Sequence, residues 1–561
     1  MKLTFLPEGV SYGSDRPVLV SEAAAQCDLL IEHPCGTRGR CTRCRVRFVE
    51  GAPQPTEADR AKLSPERLDD GWRLSCQALL RRDATIEIPE ASRATGGKSF
   101  GPDLLPGPPD GDAAARGLLG IALDLGSTTV AGALVELGSS RVVAHASTLN
   151  AQARFGGDVI SRIRHAMDSP QGEADLTDAL RLTVRELVEG LVEQPGARPE
   201  DVTVATACGN GAMTHSFVGE SVVGLGLAPY HGVFAAPRTL RGLDLGWTTL
   251  PDAAVRVFPQ VASHVGGDTV AAILATGMHR RDRPELLVDL GTNTEIVLAA
   301  RGRLTTASAA AGPAFEGAEI THGMRATAGA IDRVSLGAEG QLLLRTVGGA
   351  DPVGVCGTGL IDATAALLEL GLIEPGGRLV APGQVPPGLA PELVARLRGG
   401  AEGNHAFELV PGGAPARVGA DAGSDPVALY ARDVRQLQLV KGSIMAAVEL
   451  LLDDAGVPLG ELRAVHVAGA FGTRLRKWTA LRIGLVPAVD PERIRLVGDA
   501  AATGARMALC RLRAWEDAVE VAGRVRHVEL ATDARYTDAF ARAIPFPSVF
   551  PDPVERDRLD A

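Results

Sequence analysis

The chain of 561 residues has no apolar run of 18 or more residues, and its opening, MKLTFLPEGV, reads as a strand and not as a secretory leader. A cytoplasmic protein with no membrane association is therefore expected. A basic excess is missing as well: 57 lysines and arginines face 68 aspartates and glutamates, a net charge of −11. That balance excludes a general nucleic-acid binder, which needs positive charge to neutralise phosphates. Two common nucleotide signatures are also absent, Gly-x4-Gly-Lys-Ser/Thr and a Gly-x-Gly-x-x-Gly opening a first βαβ unit. Their absence sets aside P-loop ATPases and NAD-dependent reductases. Cysteine is sparse, eight in all, yet five fall early: Cys27, Cys35, Cys41, Cys44 and Cys76. In a reducing compartment such a group reads as metal-binding or redox-active before it reads as disulfides.

Glycine is abundant, with 66 residues and no short repeat, which implies many tight turns and close backbone approaches. The length allows three or four domains. Residues 1–92 read as a small α+β unit. KLTFLP and RPVLV form an expected strand pair, SEAAAQCD a short helix capped by Ser21, and RCRVRFVEG a further strand. A helical stretch, TEADRAKLSPERLDDG, leads to Cys76, and ATIEIPE closes as an alternating strand. Residues 93–117 are rich in Gly and Pro and read as a linker, with a reach of roughly 25–30 Å as a flexible chain. From residue 118 strands and helices alternate, an α/β pattern. The division expected is a middle domain at 118–200 and a larger C-terminal domain at 201–561.

The early cysteines are spaced Cys35-x5-Cys41-x2-Cys44, with Cys76 after a further 31 residues. A 2Fe–2S cluster needs four thiolates, and one compact loop can supply three while a distant residue closes the cage. The small residues of CGTRGRCTRC leave room for backbone N–H groups to face the cluster sulfurs. A four-cysteine zinc site is the competing reading, although such sites usually show two close Cys-x2-Cys pairs and only one is present. Cys27 reads as a core residue of the short helix. The loop is one residue longer than the plant-type spacing and resembles that of adrenodoxin-like ferredoxins, whose β-grasp fold residues 1–92 are then expected to share.

A self-similarity lies further on. GIALDLGSTTVAGALVEL starts at Gly120 and ELLVDLGTNTEIVLAA at Glu285, each a strand, an Asp-Leu-Gly turn rich in Thr and a second strand. A glycine after a strand-end aspartate lets phosphates approach, and successive N–H groups form an anion-binding concavity. The carboxylate can orient Mg2+ through its waters. The candidate residues are Asp124, Gly126, Ser127, Thr128 and Thr129 in the first copy. In the second, from residue 285, they are Asp289, Gly291, Thr292, Asn293, Thr294 and Glu295. The pairing resembles the two phosphate loops of the superfamily of acetate kinase, sugar kinases, heat-shock chaperone ATPases and actin. HVAGAFGTRL, at 465–475, is similar to that superfamily's adenosine loop, with Gly469, Ala470, Phe471 and Gly472. ACGNGAMTHSFVG and GVCGTGLIDA look like small-residue helices that let two lobes move, or simply tight helix packing.

A ferredoxin, a Pro/Gly linker and an actin-like ATPase in that order resemble the reductive activators of corrinoid proteins. NAQARFGGDVISRI, HVGGDTVAAILATGM, AAGPAFEGAEITHGMRATAGAIDRV, DVRQLQLVKGSIMAAVELLL and AGAFGTRLRKWTALRIGLVP extend the match along nearly the whole chain. The resemblance implies an α+β β-grasp 2Fe–2S ferredoxin followed by a two-lobed α/β, ribonuclease H-like ATPase of the ASKHA group. It implies a cluster on Cys35, Cys41, Cys44 and Cys76 that supplies one electron to cob(II)alamin on a corrinoid protein or corrinoid methyltransferase system, regenerating cob(I)alamin for methyl transfer. Asp124 and Asp289 would organise Mg2+ for ATP, and Glu295 or a nearby carboxylate the attacking water. A low-potential electron donor is a further expected partner, and a homodimer is compatible. None of the eleven histidines follows an aspartate by two residues, so the Asp-x-His-x-x-Gly of methionine-synthase-type carriers is absent and the cobalamin is expected on another protein. The alternatives weighed are a redox-sensing nucleotide adaptor without turnover and an activator of 2-hydroxyacyl-CoA dehydratases. The latter carry cysteines inside the ATPase fold.

Overall fold

Leu3 and Phe5 are fully buried and Lys2 is exposed, the period-two alternation of a half-buried strand. In the computed structural model this strand opens a five-stranded sheet. The structure describes residues 1–6, 9–14, 16–25, 27, 29, 31, 39, 44–89, 92, 117–193, 197–317, 319–337, 340–400, 403–412, 426–469 and 474–548. Cys35, Cys41, Ala470, Phe471, Gly472 and all but the last residue of the expected linker lie outside the described residues. The first strands are β1 (Lys2–Leu6), β2 (Val10–Gly13), β3 (Val18–Leu19), β4 (Arg45–Glu50), β5 (Trp72–Leu74), β6 (Leu79–Leu80) and β7 (Ala84–Glu87). The sheet order is β2-β1-β7-β4-β5, with β1 and β7 parallel, and β3 pairs separately with β6. Two expectations are corrected here. The chain reverses right after β1, so Val10–Gly13 takes the edge expected for RPVLV. The short helix starts at Val20, one residue before the expected cap, and Ser21 N–H donates to Ser75 O. The helical stretch before Cys76 forms as two short helices, Glu57–Lys62 and Pro65–Asp69, broken where Ser64 caps the second.

The self-similar segments form two sheets that share the same five-strand order and place their sixth strand on opposite edges. β8 (Leu119–Leu125), β9 (Thr129–Glu136), β10 (Arg141–Leu149), β11 (Val202–Gly209), β12 (Arg238–Arg241) and β13 (Ala254–Val257) build the first, in the order β10-β9-β8-β11-β13-β12. The second copy begins with β14 (Glu285–Leu290), β15 (Thr294–Ala300) and β16 (Arg303–Ala309). Two small three-stranded sheets then intervene. One holds β17 (Ala330–Leu336), β18 (Leu342–Thr346) and β19 (Gly354–Val355), the other β20 (Leu397–Arg398), β21 (Ala406–Val410) and β22 (Val427–Tyr430). The chain returns through β23 (Ala464–Ala468), β24 (Ile494–Gly498) and β25 (Val525–His527), giving the order β24-β23-β14-β15-β16-β25. In each copy an antiparallel three-strand meander is extended by parallel strands added beside its first member.

The break expected at residue 200 does not divide the sheets. β11 lies between β8 and β13, so the first lobe runs on to residue 257 and past it. Each lobe has its own core, and a third core joins them. That third core is built on the helices Gly267–Thr276 and Ala500–Cys510. They approach so closely that a Cβ on Gly504 would lie 1.9 Å from Ala271 O. The long helix Ala431–Ala455 buries one stripe of Leu437, Val440, Ile444, Val448 and Leu451. Among the described residues no helix is long and apolar enough to cross a membrane.

Candidate functional site

Cys44 lies at the start of β4 and Cys76 in the turn after β5, and Ser75 N–H donates to Cys44 O, drawing the two segments together. Both side chains are buried, with their sulfurs 3.3 Å apart. That is far beyond a disulfide bond of about 2.05 Å, and it suits two thiolates converging on one metal. Gln77 Nε2 lies 3.7 Å from Cys76 Sγ as a weak donor. The donors present therefore fit an iron–sulfur group. Cys27 is half-buried and packs against the same small core.

The turn from Gly126 to Thr128 joins β8 to β9, and the turn from Gly291 to Asn293 joins β14 to β15. Asn150, fully buried, braces the first: its backbone N–H donates to Thr128 O and its Nδ2 to Gly126 O at 3.0 Å. The two turns meet at Glu316. Thr128 Oγ1 donates to Glu316 Oε2 at 3.1 Å, and Thr292 Oγ1 donates to Glu316 Oε1 at 2.5 Å. Arg162, buried beside them, donates to Gly156 O and Gln152 Oε1. Burial pushes its guanidinium down to about 10 against the pull of Asp158 and Glu316.

Asp124 is buried within β8, opposite Cys208 on β11. Asp289 stands directly across the β14–β15 pair from Glu295. Burial, then the charges of Asp268 and Asp289, hold the Glu295 carboxyl well above the usual carboxylate range. Ser308 Oγ donates to it at 3.4 Å. Gly469, at the end of β23, adopts a φ of +96°, and a Cβ there would lie 2.2 Å from Leu290 O and 3.2 Å from Asp289 Oδ1. Only glycine lets the chain turn so close to the second phosphate-loop candidate. Asn293 lines a narrow surface recess together with Val159, Asn210, Gly211 and His264. Thr129 and Thr294 begin the second strands, and both are buried.

The structure thus joins Thr128 to Thr292 through a shared partner and places Asp289, Glu295 and Gly469 side by side. Three residues of this neighbourhood, Asn150, Asp268 and Glu316, were not singled out by sequence. Each lies in a string noted for its resemblance, but a lone carboxylate or amide in a glycine-rich segment carries no periodic or spacing signal.

Comparison with known proteins follows the same division. Residues 283–556 match the model described as the C-terminal domain of RACo, the ASKHA domain. Residues 119–281 match the RACo middle region, and 4–81 the 2Fe–2S iron–sulfur cluster binding domain. The corrinoid activation enzyme RamQ of Eubacterium limosum is 33% identical over 423 residues, 75% of this chain and 69% of that protein. The Co(II) methylated amine-specific corrinoid protein reductase of Methanosarcina barkeri is 25% identical over 460 residues, 75% and 76% of the two chains. The solved structure of a reductive activator for corrinoid, iron–sulfur protein superposes with a TM-score of 0.67 at 29% identity, covering 97% of this chain and 98% of that one. A ferredoxin domain, a duplicated lobe and an ASKHA domain, matched in order from end to end, place this chain in the RACo family of reductive activators of corrinoid proteins.

Proposed function

We propose that this chain reactivates a corrinoid protein by reducing its cobalt from cob(II)alamin to cob(I)alamin, in a step made to proceed by ATP bound between the two lobes. The observation that carries the reading is the meeting of the two turns: Thr128 from one lobe and Thr292 from the other donate to the two oxygens of a single carboxylate. Residues far apart in sequence thereby form one polar site at the seam of the duplicated fold. Cys35, Cys41, Cys44 and Cys76 would hold a 2Fe–2S cluster. When bound, such a cluster supplies one-electron transfer at low potential, roughly −400 mV for plant-type centres.

The remaining roles belong to the chain's own side chains. Backbone N–H groups and hydroxyls of Gly126, Ser127, Thr128 and Thr129, with Gly291, Thr292, Asn293 and Thr294, receive the phosphates. Asp124 and Asp289 orient Mg2+ through its waters. Gly469, Ala470, Phe471 and Gly472 take the adenosine. Glu295, or a carboxylate near it, positions the attacking water, and its own carboxyl is held above the usual range by burial and by the charges of Asp268 and Asp289. ATP assists only through different affinities for the two lobe arrangements.

The test is anaerobic. Protein, a corrinoid protein holding cob(II)alamin, a low-potential donor and Mg-ATP are mixed, and cob(I)alamin is followed by its absorbance. Asp289→Ala should abolish the ATP-driven reduction and leave the visible spectrum of the iron–sulfur cluster unchanged. Full reduction by that variant would overturn the assignment.

A further inference from the structure

We infer that Glu316 is the residue that distinguishes ATP from ADP, by holding the two phosphate-loop hydroxyls in competition with the terminal phosphate. This rests on the nucleotide reading above and deepens it. A threonine hydroxyl has one hydrogen to donate. Thr128 gives its hydrogen to Glu316 Oε2 and Thr292 gives its own to Glu316 Oε1, so neither serves a phosphoryl oxygen in this arrangement. A carboxylate and a phosphate also repel each other at short range. The two anions are therefore alternative occupants of one pair of donors, one donor from each lobe.

A diphosphate ends one phosphoryl group short of a triphosphate and leaves Glu316 in place. Only the triphosphate has a group to displace it. The displacement has a definite path. Glu316 ends the helical turn Pro313–Glu316, and the segment beyond it is anchored at the long helix Ala431–Ala455. There Thr321 N–H and Oγ1 donate to Asp433 Oδ1 at 2.9 and 2.8 Å, and on β22, just before the helix, Ala428 N–H donates to His322 Nδ1 at 2.9 Å. Release of Glu316 thus bears on the long helix packed within the same lobe, and the carboxylate acts as a sensor of the third phosphate.

The test measures dissociation constants of Mg-ATP and Mg-ADP for the full chain and for Glu316→Ala and Glu316→Gln. Removing the competitor should tighten ATP roughly tenfold, the worth of a hydrogen bond to a charged group. ADP affinity should stay within about twofold, so the ATP-to-ADP ratio rises. Glutamine keeps the size of the side chain and loses the charge, and it decides the matter if the alanine variant does not fold. A glutamine variant with the native ratio, or with both nucleotides weakened alike, would show a brace between the lobes and overturn the sensor. Native protein that binds neither nucleotide would instead overturn the nucleotide reading itself.

Discussion

Asp289 and Glu295 face each other across one antiparallel strand pair, two carboxylates at a register position where like charges oppose folding. The first copy of the repeat puts no second carboxylate there: Asp124 stands opposite Ala131. The two lobes are built around the same meander and differ in this charge.

That arrangement predicts a trade between stability and turnover. The Glu295 carboxyl is held above its ordinary value of 4.5, by burial first. A raised carboxyl favours the fold when protonated. Its contribution is fully present below the ordinary value and is lost as pH rises through the raised one. Glu295→Gln removes that loss. The variant should melt higher than the native protein in alkaline buffer, with the gap closing toward about pH 4–5, and its ATP turnover should fall by about 100-fold. Thermal melts across pH and a phosphate-release assay check both halves, and native turnover in the variant would remove Glu295 from the chemistry.

A second pair lies at the end of the segment after β23 that the sequence offers for adenosine. Arg476, just beyond 465–475, meets Asp362 of the helix Gly357–Glu369 at 2.8 Å, and its Nη2 also donates to Val334 O. Burial pushes the Asp362 carboxyl up to about 6, with Arg476 pulling against it. The sign is again that of a raised acid, with stability lost as pH rises through about 6. Arg476→Ala leaves a buried carboxylate without this cation. The loss should be about 3–5 kcal/mol at pH 8 and much smaller near pH 5, where Asp362 holds a proton. Denaturant melts at the two pH values decide, and equal losses would mean the pair acts through packing alone.

The cluster site makes a compositional prediction. Protein prepared without oxygen should hold two irons and two sulfides per chain, since one centre is read from one set of four thiols. Cys44→Ser or Cys76→Ser should lower that content sharply, because their sulfurs converge at 3.3 Å. Cys27→Ser should spare it. Iron and acid-labile sulfide assays with a visible spectrum suffice, and a colourless protein carrying zinc would end the iron–sulfur reading.

Much of the molecule is legible in its residue order. Cysteine spacing and the doubled Asp-Leu-Gly turns carry chemistry in local patterns, and local pattern is what a single sequence displays. The helix containing Leu437, Val440 and Ile444 is equally plain, since its stripe repeats with the helical period. Short strands are less so. RPVLV fits a strand, but its partner is Leu79–Leu80 and not β1, because pairing depends on where the chain turns back. The break expected at residue 200 fails for a related reason: β11 is added parallel to β8, and a parallel neighbour leaves no mark on the residues between.

The sequence by itself determined the order of modules, the spacing of the early cysteines, the two Asp-Leu-Gly turns and the aspartates that begin them. These are contacts within a turn or repeats along a chain, and both are written in spacing. Tertiary structure alone decided that Glu316 receives Thr128 from one lobe and Thr292 from the other. It alone decided that Asp268 adds its charge to the pair Asp289 and Glu295. A carboxylate acquires such a role from what folding brings within hydrogen-bonding or Coulombic reach, and from the water that burial removes around it.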